Sequence, residues 1–242
     1  MSILKNLGEL AFNMAKAKAV DYIKDIQLKS EAAHLTDESR VQFHTGDLVR
    51  DDKRCYIVAK PRIADRDGIL VALQSGMDKW YYRLTYCPYS KTVSQDGGCR
   101  LETKANDRTN GLFNTTTLLQ LDHDLAYQEH NPYGCPPPIH RFPALEYVKK
   151  VGDDIYMPAI EELYDIFIET DIRPRLNEFI QKIGGTSIPT DTEVLIWSST
   201  DNQNKSVFGE EALALVLTPN TQPVVRSMPK NNEAHILLIK RF

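Results

Sequence analysis

Ile3, Leu7, Leu10, Met14 and Ala17 recur at alternating steps of four and three residues. Steps of that kind keep side chains on one stripe of an α-helix, and an apolar stripe must find a surface to cover it. Residues 2–34 contain no proline and a single glycine, Gly8, so the spacing predicts one helix over 2–34. A second stripe continues through Ala19, Ile23 and Ile26. Three surfaces compete for the first stripe: a second copy or an assembly partner, the chain's own body, and a membrane surface. Lys5, Lys16, Lys18, Lys24 and Lys29 outnumber Glu9, Asp21 and Asp25 only slightly, and the interspersed acids rank the membrane last. Ile3, Leu7, Leu10 and Met14 are therefore the expected oligomerisation or anchoring residues.

After the polar stretch Thr36–His44 the pattern changes to short strands. Asp47–Lys60 reads as strand around a turn at Asp51-Asp52-Lys53, Gly68–Leu73 as a buried strand, and Trp80–Tyr86 as an aromatic-rich one. Pro88–Asn110 is polar and long enough for a surface loop. Asp122–Arg141 ends in three prolines, Pro136 to Pro138, and is expected to be a stiff surface excursion. Phe142–Val151 suits a short helix. Another helix is expected to open at Pro158, with Ile160, Leu163, Tyr164 and Phe167 on its buried face. A third starts at Pro174, carries Leu176, Phe179, Ile180 and Ile183, and stops at Gly184-Gly185. Val194–Trp197, Ala212–Leu217 and Ala234–Ile239 complete the strands. The division is an N-terminal helix over residues 1–35 and an α+β body over 36–242.

With 242 residues, 42% hydrophobic and 26% charged, the chain has the composition of a soluble globular protein with a packed core. A net charge of -4 gives no electrostatic footprint for nucleic acid. No apolar run approaches the length needed to span a bilayer, and the charges of the first helix interrupt any signal-peptide core. The expected location on synthesis is the cytoplasm, where Cys55, Cys87, Cys99 and Cys135 would stay reduced.

Four pieces and the closing strand, in order, carry a likeness. Asn110-Gly111-Leu112-Phe113-Asn114-Thr115 is similar to an Asp-Gly-x-x-Asn-Thr turn, with Asn110 in place of Asp. Tyr156–Leu163 is similar to a Trp-x-Leu-Pro-x-x-x-Glu-Leu helix start, and Leu176-Asn177 through Gly184-Gly185 to the second helix and its stop. Ile196–Asp201 resembles Tyr-Trp-Ser-Ser-Thr-Glu, and Ile239–Phe242 the closing strand. Together these pieces resemble the C-type-lectin-like domain family of bacteria and phages, which includes the C-terminal domain of a collagen-like bacterial adhesin and has the variable proteins of diversity-generating retroelements as distant relatives. The resemblance covers about residues 45–242. It implies a C-type-lectin-like fold behind an N-terminal α-helical extension, with Val49–Val58 near Ile236–Ile239. On the residues alone, Trp197, Ser198, Ser199, Thr200, Asn114 and Thr115 read as framework rather than ligand contacts.

Calcium-dependent sugar binding needs a cluster of carboxylate oxygens. At the corresponding places stand Thr218-Pro219-Asn220, Gln222-Pro223-Val224 and Trp197-Ser198-Ser199, so the acidic ligands are missing. Cys99, His123, His130, Cys135 and His140 lack the paired short spacings of a zinc site. Related enzymes of the formylglycine-generating group use a cysteine pair, but all four cysteines here lie before Pro136. Neither a catalytic residue, a metal nor a cofactor is expected. The resemblance places a recognition face at Asp201, Asn202, Gln203, Asn204 and Lys205, with Asn220, Gln222 and Arg226 beside them.

The expected function is a non-enzymatic structural and binding protein. A phage virion component (head fibre, capsid decoration or tail-associated protein) comes first, a soluble or surface adhesion module second, and an enzyme of the formylglycine-generating fold group third. The expected partners are further copies of the chain, a capsid, tail or other particle protein, and a cell-surface glycan or protein.

Overall fold

The computed structural model describes residues 24, 26–35, 42–63, 67–81, 103–128, 142–152, 154–206 and 209–242. Among the described residues, a helical turn at 26–31 is followed by β1 (Ala33–His34), β2 (Leu48–Arg50), β3 (Cys55–Lys60), β4 (Ile69–Ala72), β5 (Gly76–Lys79), α1 (Gly111–Gln128), α2 (Pro143–Val151), α3 (Ile160–Ile168), α4 (Arg173–Lys182), β6 (Val194–Ser206), β7 (Gly209–Leu217), β8 (Val224–Pro229), β9 (Glu233–Ile236) and β10 (Ile239–Arg241). They make an α+β protein with two mixed five-stranded sheets, β1-β2-β3-β4-β10 and β5-β9-β6-β7-β8. The parallel pairs are β1 with β2 and β6 with β9; the other neighbours run antiparallel.

Side chains along a strand alternate between faces, so a strand apolar at every position must be covered on both. That condition holds here. Ile57, Ala59, Val71, Ile196, Leu215 and Leu217 belong to one core, under Ile160, Leu163, Phe167, Leu176 and Ile180 of α3 and α4. Tyr56, Val58, Leu70, Ala72, Trp197, Ala212 and Ala214 belong to the other, with Leu118 of α1 and Ala144, Leu145 and Val148 of α2. Each sheet contributes to both cores.

The closing strand corrects one expectation. β10 pairs with β4, in the register Ile239↔Val71 and Arg241↔Ile69, and not with the Val49–Val58 region, which lies one and two strands further out. The run Ala234–Ile239 divides between β9 in one sheet and β10 in the other. The chain thereby crosses from sheet to sheet within Leu237-Leu238, both fully buried.

The N-terminal seam Ile3, Leu7, Leu10 and Met14 lies outside the described residues. The helix ends before residue 34: residues 26–31 are helical, and Ala33–His34 is a short strand parallel to β2. This last turn is seated on the body. Leu28 and Ala32 enter the first core and Lys182 holds Glu31 at 2.9 Å, while Ile26 of the second stripe remains half exposed.

Further differences have local causes. The polar piece beginning at Asp122 is helical through Gln128 as the continuation of α1, since no proline stands before Pro132. The remainder of that excursion lies outside the described residues, as do residues 82–86 of the expected aromatic strand; Trp80 and Tyr81 are described but belong to no strand. Pro158 does not open α3. Ala159 is its cap, in extended conformation, and the Pro158 carbonyl instead accepts a hydrogen bond from Ser199 N–H at 2.8 Å. α4 begins with Pro174 in its first turn, and Gly184, at a φ of 76°, supplies the left-handed residue that stops it.

Candidate functional site

The family-like motifs meet in one buried polar network. Asn110 Oδ1 caps α1 by accepting from Phe113 N–H at 2.9 Å. One turn on, the fully buried Asn114 locks the preceding loop: its Oδ1 accepts from Asp107 N–H at 3.0 Å and its Nδ2 donates to Asp107 O at 2.6 Å. Thr200 Oγ1 donates to the same carbonyl at 3.0 Å and accepts from Ile160 N–H at 3.0 Å. Thr115 Oγ1 accepts from Met157 N–H at 3.2 Å, and Ser198 Oγ donates to Leu213 O at 2.6 Å. Amide and hydroxyl groups thus bind backbone atoms in the loop before α1, at the start of α3 and beside the irregularity between β6 and β7.

Glu162 is the hinge pin of this network. Its Oε2 accepts from Ala159 N–H and from Gly111 N–H, each at 2.9 Å, while Oε1 accepts from Tyr156 OH at 3.2 Å and from Arg241 Nη2 at 2.5 Å. One carboxylate therefore joins the starts of α1 and α3 to the last strand. Gly111 is required there, because a Cβ would lie 2.5 Å from both Ala159 N and Met157 O.

A second charged knot holds the C-terminus to the β2–β3 turn. Lys240 Nζ lies 3.0 Å from Asp51, also pairs with Asp154, and sits over the Tyr56 ring. Burial alone would raise the Asp51 pKa. The Lys240 ammonium, the Tyr56 hydroxyl and the N–H groups of Arg54 and Lys53 outweigh it and hold the carboxyl at about 2. A carboxyl depressed by folding stabilises the fold above its unfolded pKa, and that contribution fades as pH falls through the folded value. The melting temperature is therefore expected to drop between pH about 4 and about 2, and Asp51→Asn to flatten that limb. An acid limb unchanged by Asp51→Asn would show that this knot does not set it.

The expected recognition face is rearranged. Asp201, expected to be an exposed loop ligand, is buried: Thr103 Oγ1 donates to its Oδ2 at 2.5 Å, and Lys230 Nζ lies 2.7 Å from its Oδ1. Residues 201–205 are not a loop either, because β6 runs on through Ser206 and forms a hairpin with β7. The backbone of Gln203, Asn204 and Lys205 is strand, and their side chains lie outside the described set. Asn202 Nδ2 donates to Ser227 Oγ at 2.5 Å, and Ser227 Oγ donates to Glu211 Oε2 at 2.5 Å, so three strands share one polar surface row. Asn220, Gln222 and Arg226 are exposed, Asn220 in a turn at a φ of 60°, and Arg226 lies 3.8 Å from Glu193. The turn and β8 therefore display these three, while Asp201 belongs to the interior.

Lys230, Thr103 and Trp80 escaped sequence reading. A lysine after a proline and a threonine in a polar stretch carry no periodic signal, and only the fold brings them to Asp201. Among the described residues, no three or more His, Cys, Asp and Glu side chains form a group able to hold a metal ion. Cys55 is a buried member of the first core. Cys87, Cys99, His130, Cys135 and His140 lie outside the described residues. No described helix is long and apolar enough to cross a membrane.

No family model matches the chain, and no curated protein is similar to it in sequence. A solved structure of a fimbrial protein from Bacteroides ovatus is similar at 16% identity and a TM-score of 0.43. The likeness covers 72% of this chain and 35% of that one, so this chain matches about a third of that protein's length.

Proposed function

We propose that the chain is a non-enzymatic binding and assembly protein. In this reading residues 36–242 form a C-type-lectin-like body, and the helix of residues 1–35 fastens it to copies of itself or to a larger particle. A virion is the particle that best fits a body of this type on an apolar helical seam, with the protein serving as a fibre, capsid decoration or tail-associated component. One observation carries the proposal. The motif residues Asn114, Thr115, Glu162, Ser198 and Thr200 are consumed in bonds between remote segments, whereas a surface row of polar side chains lies across the β6–β7–β8 end. There Asn202, Glu211 and Ser227 form an amide, carboxylate and hydroxyl row, with Asn220, Gln222 and Arg226 exposed on the same ribbon. Groups of this kind contact the hydroxyls of a glycan or the backbone of a protein ligand without a metal.

The test is binding of the intact, labelled chain to a glycan array. The wild type is expected to bind a restricted set of glycans, and a triple Asn220→Ala, Gln222→Ala, Arg226→Ala variant to lose that binding. Gln222→Ala and Arg226→Ala are each expected to alter stability by less than about 0.5 kcal/mol, as for ordinary surface sites, and Asn220→Ala to cost roughly 1 kcal/mol because alanine is strained at a φ of 60°. Glycan binding that survives the triple change would place recognition elsewhere, and binding to no glycan would end the glycan reading.

A further inference from the structure

Lys230 and Asp201 are both almost sealed from solvent, with side-chain exposures of 5% and 7%. Their contact is short, 2.7 Å from Nζ to Oδ1, yet Oδ1 accepts no hydrogen bond. The ammonium therefore touches the carboxyl group without the geometry of a hydrogen bond. The other oxygen, Oδ2, is held by the Thr103 hydroxyl at 2.5 Å. Trp80 forms one wall: Lys230 Nζ lies 4.8 Å from its ring centre, and its Nε1 is tied to Ser198 O at 2.8 Å. Ala105 and Ala212, both fully buried, are neighbours of Asp201 along the backbone ladder.

Both backbones are fixed as well. Asp201 N–H donates to Ala105 O at 2.7 Å, and Tyr81 N–H donates to Lys230 O at 3.0 Å. An amine and a carboxyl group are thereby held in contact in a buried, aromatic-walled site. Prepaid orientation of this kind makes a slow condensation effectively unimolecular.

We propose that Lys230 and Asp201 are a modification site, where the two side chains condense into an intramolecular isopeptide bond. Proton transfer within the ion pair gives a neutral amine and a carboxylic acid. The nitrogen lone pair attacks Cγ, and a Cγ–N bond forms. Negative charge gathers on Oδ2, where the Thr103 hydroxyl donates to it. The other oxygen leaves with two protons as water. One amine and one carboxyl group thus yield one amide and one water, with no oxidant, reductant or cofactor. The bond would join β6 to the residue directly after β8, closing a covalent loop around the β6–β7–β8 ribbon. This inference is independent of what the ribbon binds.

The test is the intact mass of the full chain under denaturing conditions, after allowing for removal of Met1. The expected mass is one water below that of the sequence, and Lys230→Arg and Asp201→Ala are each expected to restore the sequence mass. A tryptic digest should contain a branched peptide joining the Asp201 segment to the Lys230 segment, with no cleavage after Lys230. A wild-type mass equal to the sequence mass would overturn the proposal. So would a water loss that persists in Lys230→Arg, or one that the digest places at another aspartate. Because the mass and digest of the wild type can each overturn the proposal, poor folding of either variant leaves it falsifiable.

Discussion

Glu162→Ala is expected to reduce the free energy of unfolding by about 3 kcal/mol or more. The carboxylate is almost fully buried and receives the N–H groups of Ala159 and Gly111, the Tyr156 hydroxyl and the Arg241 guanidinium. Removing it leaves two buried backbone donors without an acceptor, each worth roughly 1–3 kcal/mol. Arg241 contributes less to the loss, because its side chain is 46% exposed and water can solvate it. Glu162→Gln retains one acceptor oxygen but turns an amide toward a cation, so it is expected to fall between the wild type and alanine. Urea unfolding of the three proteins checks the order. Equal stability of Glu162→Ala and the wild type would remove Glu162 from its place as the joint between α1, α3 and β10.

Trp197→Ala is expected to cost about 3–5 kcal/mol, the range for losing a large aromatic from a packed core. Trp197 is fully buried in the centre of its sheet, opposite Ala214 on β7 and Ile236 on β9, and its Nε1 donates to Asp78 O at 3.2 Å. The alanines at 212 and 214 leave the room its ring fills. Trp197→Phe is expected to lose less, since it keeps most of the packing and gives up only the hydrogen bond. A mild effect of Trp197→Ala on stability together with lost ligand binding would make Trp197 a recognition residue and contradict its framework role.

Much of the fold was legible because the relevant signals are local. The apolar runs of β3 and β4, the helical spacing of Leu163 and Phe167, and the Pro174 and Gly184 boundaries of α4 each lie within one element. α1, β5 and β8 were not legible: Asn110–Thr115 suggests a turn and the piece from Asp122 a surface excursion, where the chain forms one helix over Gly111–Gln128. His123 and Asp124 look like loop residues when Leu118, which anchors the helix, is read alone, and Gly76–Lys79 becomes a strand only because β9 offers it a partner. The same limit governs the site. Asn114 and Thr115 could be read as framework from residue type, whereas the burial of Asp201 depends on Lys230 and Thr103, which lie 29 residues after it and 98 before it. A polar residue in a polar stretch gives no sign of a distant partner that will enclose it.

The measurement closest to the proposed assembly role is the mass of the full chain in solution, compared between wild type and Leu7→Ser/Leu10→Ser. Burying a side chain of this size is worth roughly 1.5–3 kcal/mol, so replacing two of the four seam residues is enough to break a contact made by Ile3, Leu7, Leu10 and Met14. Light scattering coupled to gel filtration is expected to find the wild type as an oligomer and the double variant as a monomer with an unchanged melting temperature. A wild-type monomer would contradict self-assembly, and a double variant that melts at a lower temperature without any change in mass would mean that the helix packs on its own body and would contradict the assembly role.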